Sequence, residues 1–100
     1  ENIIALGFYN GRIVIMNYET KKKLNTLEGH SGWINDLVMF DKNTLISTSN
    51  DEKVMIWNWR DNKCRQELTE HTNYVNSILK LDNNSFLSCG YEQRVLKWTK

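Results

Sequence analysis

The chain has 100 residues, 40% of them hydrophobic and 25% charged, with a formal net charge of +1. This composition excludes collagen and wholesale disorder, and Lys, Asn, Asp or Glu interrupts every apolar stretch before it reaches the roughly 20 residues that a membrane-crossing helix needs. A domain of this size hides only roughly 60–65% of its unfolded surface, and its near-neutral balance supplies no strong field of the kind a dedicated nucleic-acid binder uses.

The one dense charge cluster is Lys21, Lys22 and Lys23, beside Glu19. Two cysteines, Cys64 and Cys89, are too few and too unevenly placed for a disulfide framework or a zinc site. They read as small packed residues of a protein in a reducing, intracellular compartment, cytoplasmic or nuclear. No basic n-region with an apolar h-region follows Glu1, so no secretory signal is read in these residues.

Taken along the chain, the first segment, residues 1–28, carries apolar residues at Ile13 and Ile15 and an aromatic at Tyr18. Short runs at 34–40, 44–49, 53–57 and 64–68 then follow, rich in Val, Ile, Leu, Thr, Phe and Trp. Asp-Lys-Asn, Asn-Asp-Glu and Arg-Asp-Asn-Lys turn signals separate them, which predicts four strands and no helix. Leu-Val-Met-Phe at 37–40 and Val-Met-Ile-Trp at 54–57 are apolar at consecutive positions, so both faces of these strands need cover.

Residues 70–100 repeat the pattern. His30 recurs as His71, Ser47 as Ser88 and Trp57 as Trp98, and each difference (71−30, 88−47, 98−57) is 41. Ile34 and Val75, Leu37 and Ile78, Leu45 and Phe86, Val54 and Val95, and Leu27 and Leu68 keep the same step without a gap. Stepping back from Val54, Ile56 and Trp59 lands on Ile13, Ile15 and Tyr18. Such a period is the mark of a repeat architecture.

A period of 41 with four short strands, Gly29-His30 near the start of a unit and Trp57 near its end, resembles the WD-repeat family. The resemblance covers essentially the whole chain and implies an all-β fold, a partial WD-repeat β-propeller with four-stranded antiparallel blades. On that pattern residues 1–28 supply the last three strands of one blade, 29–69 a complete blade and 70–100 the first three strands of another. Closed propellers take about 4–8 blades, so the remainder is expected outside these residues, in a longer polypeptide or a large assembly.

The resemblance further implies that His30, Ser47, Asp51 and Trp57 form a buried hydrogen-bonded chain, from Trp indole to Ser to His to Asp. The next unit offers His71, Ser88, Glu92 and Trp98, where the longer Glu92 leaves open whether the chain is complete. Glu70 stands where the first unit has Gly29, and Lys97 replaces Ile56, which suggests that its end reaches solvent or pairs with a residue outside these 100. In the first segment Leu6, Asn10 and Met16 hold the Ser, Asp and Trp positions, so packing is expected to hold that blade. A hydrolase built from His, Ser and Asp is disfavoured, because a catalytic serine needs an exposed hydroxyl and an oxyanion hole. Zinc at His30 and His71 is disfavoured too, since they fall in different blades without acid or thiol partners. No catalytic residue, metal or cofactor is expected.

The family's binding face, carried over position by position, comprises Trp33, Asn35 and Asn50 in one blade, Tyr74, Asn76 and Tyr91 in the next, and Tyr9 in the first segment. Aromatic rings among amides suit an interaction hot spot, although each ring could equally serve to cover a neighbouring blade. Tyr18 and Trp59, at matching outer positions, read as structural.

The expected function is a non-catalytic scaffold for other proteins or peptides, with no membrane and no small-molecule substrate. Alternatives are a methyl-lysine or peptide reader using an aromatic cage, an RNA-associated subunit using stacking, and an accessory domain of a larger enzyme.

Overall fold

A computed structural model describes residues 2–99. Ten strands run in order: β1 Ile3–Gly7, β2 Ile13–Asn17, β3 Lys22–Leu27, β4 Ile34–Asp41, β5 Thr44–Ser49, β6 Val54–Asn58, β7 Lys63–Leu68, β8 Val75–Lys80, β9 Ser85–Gly90 and β10 Val95–Thr99. They form three antiparallel meanders, β1-β2-β3, β4-β5-β6-β7 and β8-β9-β10. No helix occurs among the described residues. Compared with the runs read from sequence, β4 continues to Asp41, β6 is shifted by one residue to Asn58, and β7 begins at Lys63.

The apolar runs of the middle sheet are explained by two separate cores. Successive side chains of a strand point to opposite faces. Leu45, Met55 and Trp57 therefore join Ile13, Ile15, Leu27 and Trp59 on one side, while Ile46 and Val54 join Phe40, Leu68, Val75, Ile78 and Phe86 on the other. All six residues of β5 are buried. Each fully buried aliphatic side chain such as Leu45 or Ile46 contributes about 1.5–3 kcal/mol. The cover is incomplete on β4, where Met39 stays 37% exposed.

A bulge at Asn35 shifts the β4–β5 register between Ile34 and Asp36. The extra residue lets Ile34 and Leu37 face the first core while Asp36 faces the third sheet. The same bulge recurs in β8, between Val75 and Ser77.

The repeat extends to the backbone of the turns. Gly11, Glu52 and Gln93, each 41 residues apart, all have positive φ, at 89°, 72° and 66°. Lys21 and Asn62, at 62° and 57°, form a second such pair. Left-handed backbone is unfavourable for residues with a Cβ, so Glu52 and Gln93 adopt it because the hairpin closure demands it. At Gly11 the constraint is also spatial, since a Cβ would lie 2.3 Å from the His30 carbonyl oxygen.

Among the described residues, three polar contacts join the second sheet to the third. Asp36 Oδ2 accepts the Ile78 N–H at 2.8 Å, Asn35 Nδ2 donates to the Val75 carbonyl at 2.9 Å, and Lys80 Nζ donates to the Phe40 carbonyl at 2.6 Å. Between the first and second sheets, the Ile34 N–H donates to the Phe8 carbonyl at 3.2 Å.

Asp36→Ala would leave the Ile78 N–H without its acceptor at a sheet junction. The expected loss is about 1–3 kcal/mol, visible as a lower denaturation midpoint at unchanged slope; an unchanged midpoint would mean the bond contributes nothing.

Candidate functional site

The ends of the strands at which β5 meets β6 and β9 meets β10 carry two buried polar chains. In the second sheet, His30 lies in the loop that leads into β4, Ser47 on β5, Asp51 in the β5–β6 turn and Trp57 on β6. Trp57 Nε1 donates to Ser47 Oγ at 2.8 Å, Ser47 Oγ lies 2.6 Å from His30 Nε2, and His30 Nδ1 lies 2.8 Å from Asp51 Oδ2. Asp51 also accepts the Ser31 N–H at 3.0 Å and the Lys53 N–H at 3.0 Å.

Proton counting orients the chain. The indole can only donate, so Ser47 accepts from it and has one proton left, which it gives to His30 Nε2. His30 then carries its proton on Nδ1 and donates it to the carboxylate. This tautomer follows from the network rather than from observed hydrogens. Ser47 has no exposed surface and its hydroxyl is committed at both ends, so the His-Ser-Asp set has no free nucleophile.

The third sheet holds the same chain in complete form. Trp98 Nε1 donates to Ser88 Oγ at 2.7 Å, Ser88 Oγ lies 2.7 Å from His71 Nε2, and His71 Nδ1 lies 2.6 Å from Glu92 Oε2. The extra methylene of Glu92 is accommodated by Gly90, which stands where the second sheet has Ser49. A Cβ at Gly90 would lie 2.0 Å from Glu92 Oε1. The substitution has a cost: Oε2 serves both His71 and the Thr72 N–H, while the buried Oε1 has no hydrogen-bond partner among the described residues.

In the first sheet Leu6, Asn10 and Met16 form no such chain. Asn10 retains one part of it, accepting the Arg12 N–H at 3.1 Å as Asp51 accepts that of Lys53. This sheet also has polar contacts beyond packing: Tyr18 donates its hydroxyl to Asn2 Oδ1 at 3.1 Å. Tyr18 is half exposed, whereas Trp59 at the matching outer position is buried.

Beside these chains lies a strip of exposed aromatics. Tyr9, Trp33, Tyr74 and Tyr91 are 74%, 59%, 43% and 60% exposed. Main-chain bonds hold the segments that carry them. Phe8, next to Tyr9, accepts from Ile34, next to Trp33. The Trp33 carbonyl accepts the Asn50 N–H at 2.9 Å, and the Tyr74 carbonyl accepts the Tyr91 N–H at 2.9 Å. The Tyr74 and Tyr91 rings pack at 5.5 Å between centroids, tilted by 48°.

The amides of this face differ in availability. Asn35 donates to Asn50 Oδ1 at 2.8 Å within its own sheet and to the Val75 carbonyl of the third sheet, so its amide protons are taken up inside the protein although the residue is exposed. Asn50 and Asn76 are half-buried. The bridging role of Asp36 escapes a reading of the sequence, although a carboxylate in the run Ile-Asn-Asp-Leu-Val-Met-Phe was a signal that it needed a buried donor.

Electrostatics support the chains as fixed elements. Burial pushes the Asp51 carboxyl up, but the hydrogen bond from His30 and the Ser31 and Lys53 N–H groups outweigh it and hold the group below its ordinary 3.8. Burial likewise pushes Glu92 up, and His71 with main-chain N–H donors holds it below its ordinary 4.5. No group of three or more His, Cys, Asp or Glu of metal-site geometry occurs among the described residues. Cys64, read from sequence as packed, lies exposed on β7, and Cys89 is half-buried.

The family model described as WD domain, G-beta repeat (WD40) matches residues 21–58 and 62–99. Each match starts one residue before the outer strand of one sheet, β3 or β7, and ends with the third strand of the next, β6 or β10. Among solved structures the chain is similar to the computationally designed Ika4 protein, with a TM-score of 0.89 and 25% identity over 99% of this chain and 61% of that one. The computationally designed Ika8 protein is similar at the same TM-score and identity, over 100% of this chain and 31% of that one. The chain thus spans less than two thirds of either designed protein. No curated protein sequence matches it.

Two outcomes test the polar chains. Gly90→Ala is expected to cost about 1–3 kcal/mol by forcing Glu92 off His71, and adding Glu92→Asp should recover most of it, read as a coupling energy in a double-mutant cycle; an innocuous Gly90→Ala would refute the fit. Because both folded carboxyl pKa values lie below the unfolded ones, their stabilisation is present above the unfolded values of 3.8 and 4.5. It is lost as pH falls through the lower folded values. The Asp51 and Glu92 contribution predicts urea midpoints that fall as pH drops below about 4.

Proposed function

Because the chain belongs to the WD40 family, whose repeats generally act as non-catalytic scaffolds for proteins and peptides, we propose that it docks a partner protein on its aromatic strip. The observation that carries this reading is that Tyr9, Trp33, Tyr74 and Tyr91, in loops and turns of three successive sheets, are all exposed. Large rings remove much area from water on contact and lose little side-chain entropy, so they anchor interfaces out of proportion to their number. Rigid support favours affinity, and here the main chain beneath the rings is held by the Trp33–Asn50 and Tyr74–Tyr91 bonds.

A wholly structural role for the polar chains supports a non-catalytic assignment, since the hydroxyls of Ser47 and Ser88 are both spent on a histidine and an indole. Two unpaired cysteines suit a reducing, intracellular setting.

The scaffold works as part of a larger propeller. Support comes from the outward sheet faces, which are apolar at positions that are buried in the inner layers. Val95 is 63% exposed where its counterpart Val54 is fully buried, and Leu81 is 45% exposed where Phe40 is 3%. Further blades in a longer polypeptide or assembly would cover them.

Affinity capture with the intact protein, comparing wild type with Trp33→Ala/Tyr74→Ala at matched melting temperature, tests the strip. Loss of a defined set of partners, with at least about a 30-fold weaker Kd for any purified one, is expected; an unchanged set would assign the rings to packing.

A further inference from the structure

The net charge of +1 hides a separation of charge along the strands. At the end that carries the aromatic strip, the first two sheets and the loop leaving the second hold five carboxylates, Glu28, Asp51, Glu52, Glu67 and Glu70, against two cations, Arg12 and Lys53. At the opposite end, the hairpins of the same two sheets hold six cations, Lys21, Lys22, Lys23, Lys42, Arg60 and Lys63, against three carboxylates, Glu19, Asp41 and Asp61. Glu92 and Arg94, at the aromatic end of the third sheet, offset each other. The aromatic end of these sheets is therefore net negative and the other end net positive, the histidines being neutral by the proton count given for the polar chains.

Trp33 belongs to the second sheet, which has a core on each face; flanked on both sides, it is still 59% exposed. The turn at 50–53 lies against it. The Trp33 carbonyl accepts the Asn50 N–H at 2.9 Å, and a Cβ at the neighbouring Gly32 would lie 3.0 Å from the Asp51 main-chain N. That turn carries Asp51 and Glu52. The Asp51 side chain is 4% exposed, and a charge so buried is little screened by salt. Arg12 is paired with Glu28 at 2.9 Å and Lys53 with Glu67 at 2.9 Å, so both cations of this end are already answered. Glu52 and Glu70 are exposed and have no ion-pair partner among the described residues.

We propose that the aromatic strip takes a basic segment of its partner protein, with a Lys or Arg side chain laid over Trp33 and answered by Glu52 and Glu70. The inference rests on the strip being the docking face, and it names the chemistry of what docks there. A cation is attracted to the face of an aromatic ring, most strongly to an indole. A net negative surface also speeds encounter with positive partners and turns away negative ones. The phosphate backbone of a nucleic acid meets the same carboxylates as repulsion, so the charge that favours a basic peptide disfavours RNA at this face.

The test is fluorescence anisotropy of the intact protein with two labelled probes, a tetra-arginine peptide and a tetra-glutamate peptide, at low and at physiological salt. Saturable binding of the arginine probe alone is expected, weakening as salt rises. At unchanged Tm, Glu52→Lys/Glu70→Lys and Trp33→Leu should each raise its Kd at least about tenfold. Lys21→Glu/Lys22→Glu at the other end should change the Kd by less than about twofold, because a strand's length of about 17–20 Å exceeds the Debye length of about 8 Å. No saturable binding, equal binding of the glutamate probe, or a Kd unmoved by the Glu52 and Glu70 reversal would overturn the inference. Affinity capture separates that failure from failure of the docking reading. If Trp33→Ala/Tyr74→Ala loses its partners while Glu52→Lys/Glu70→Lys retains them, the strip docks a partner that is not basic, and only the inference falls.

Discussion

A serine hydroxyl has one proton, and in each of two sheets that hydroxyl sits between an indole that can only donate and an imidazole that must therefore accept. Ser47 and Ser88 make this junction at 2.6–2.8 Å on both sides. Reversing any one member breaks the direction of the whole chain, because a buried donor facing a donor loses its partner and the desolvation cost of both groups remains. The chain joins the loop before the inner strand, the second strand, the turn and the third strand. It thereby sets register where the apolar contacts alone would tolerate a slip, since a one-residue slip exchanges the two faces of a strand. The aromatic strip rests on the loops and turns that His30, Asp51, His71 and Glu92 hold.

Burial on both faces is the second constraint. Strands covered on one side alternate apolar and polar residues; β5 and β6 are covered on both and so carry side chains destined for two different cores. The sheets are then bound to each other by few polar contacts, chiefly those of Asp36, Asn35 and Lys80. Asn35 shows how binding and structure compete for one residue. It stands at the bulge of β4 and is exposed, yet both amide protons are used within the protein.

Much of this was legible in the sequence because identical side chains recur at a fixed step: His30 and His71, Ser47 and Ser88, Trp57 and Trp98 mark the same places in two sheets. The strand pattern and the family followed from that recurrence. Less legible were features that depend on reach. The completeness of the Glu92 chain turns on Gly90, which in sequence is only the counterpart of Ser49. Asp36 replaces nothing visible, and its partner is a main-chain N–H 42 residues away. Cys64 faces outward because β7 is the outer strand of its sheet, a fact of topology rather than of composition.

The central claim, that the indole-serine-histidine-acid chains hold the sheets in register, is tested most directly by hydrogen exchange at the Trp57 and Trp98 indole N–H groups. The account predicts that both exchange only through opening of their sheets, as slowly as the main-chain amides of β5 and β9. Exchange at the rate of an exposed indole, with those amides still protected, would show that the serines do not hold the indoles and would contradict it.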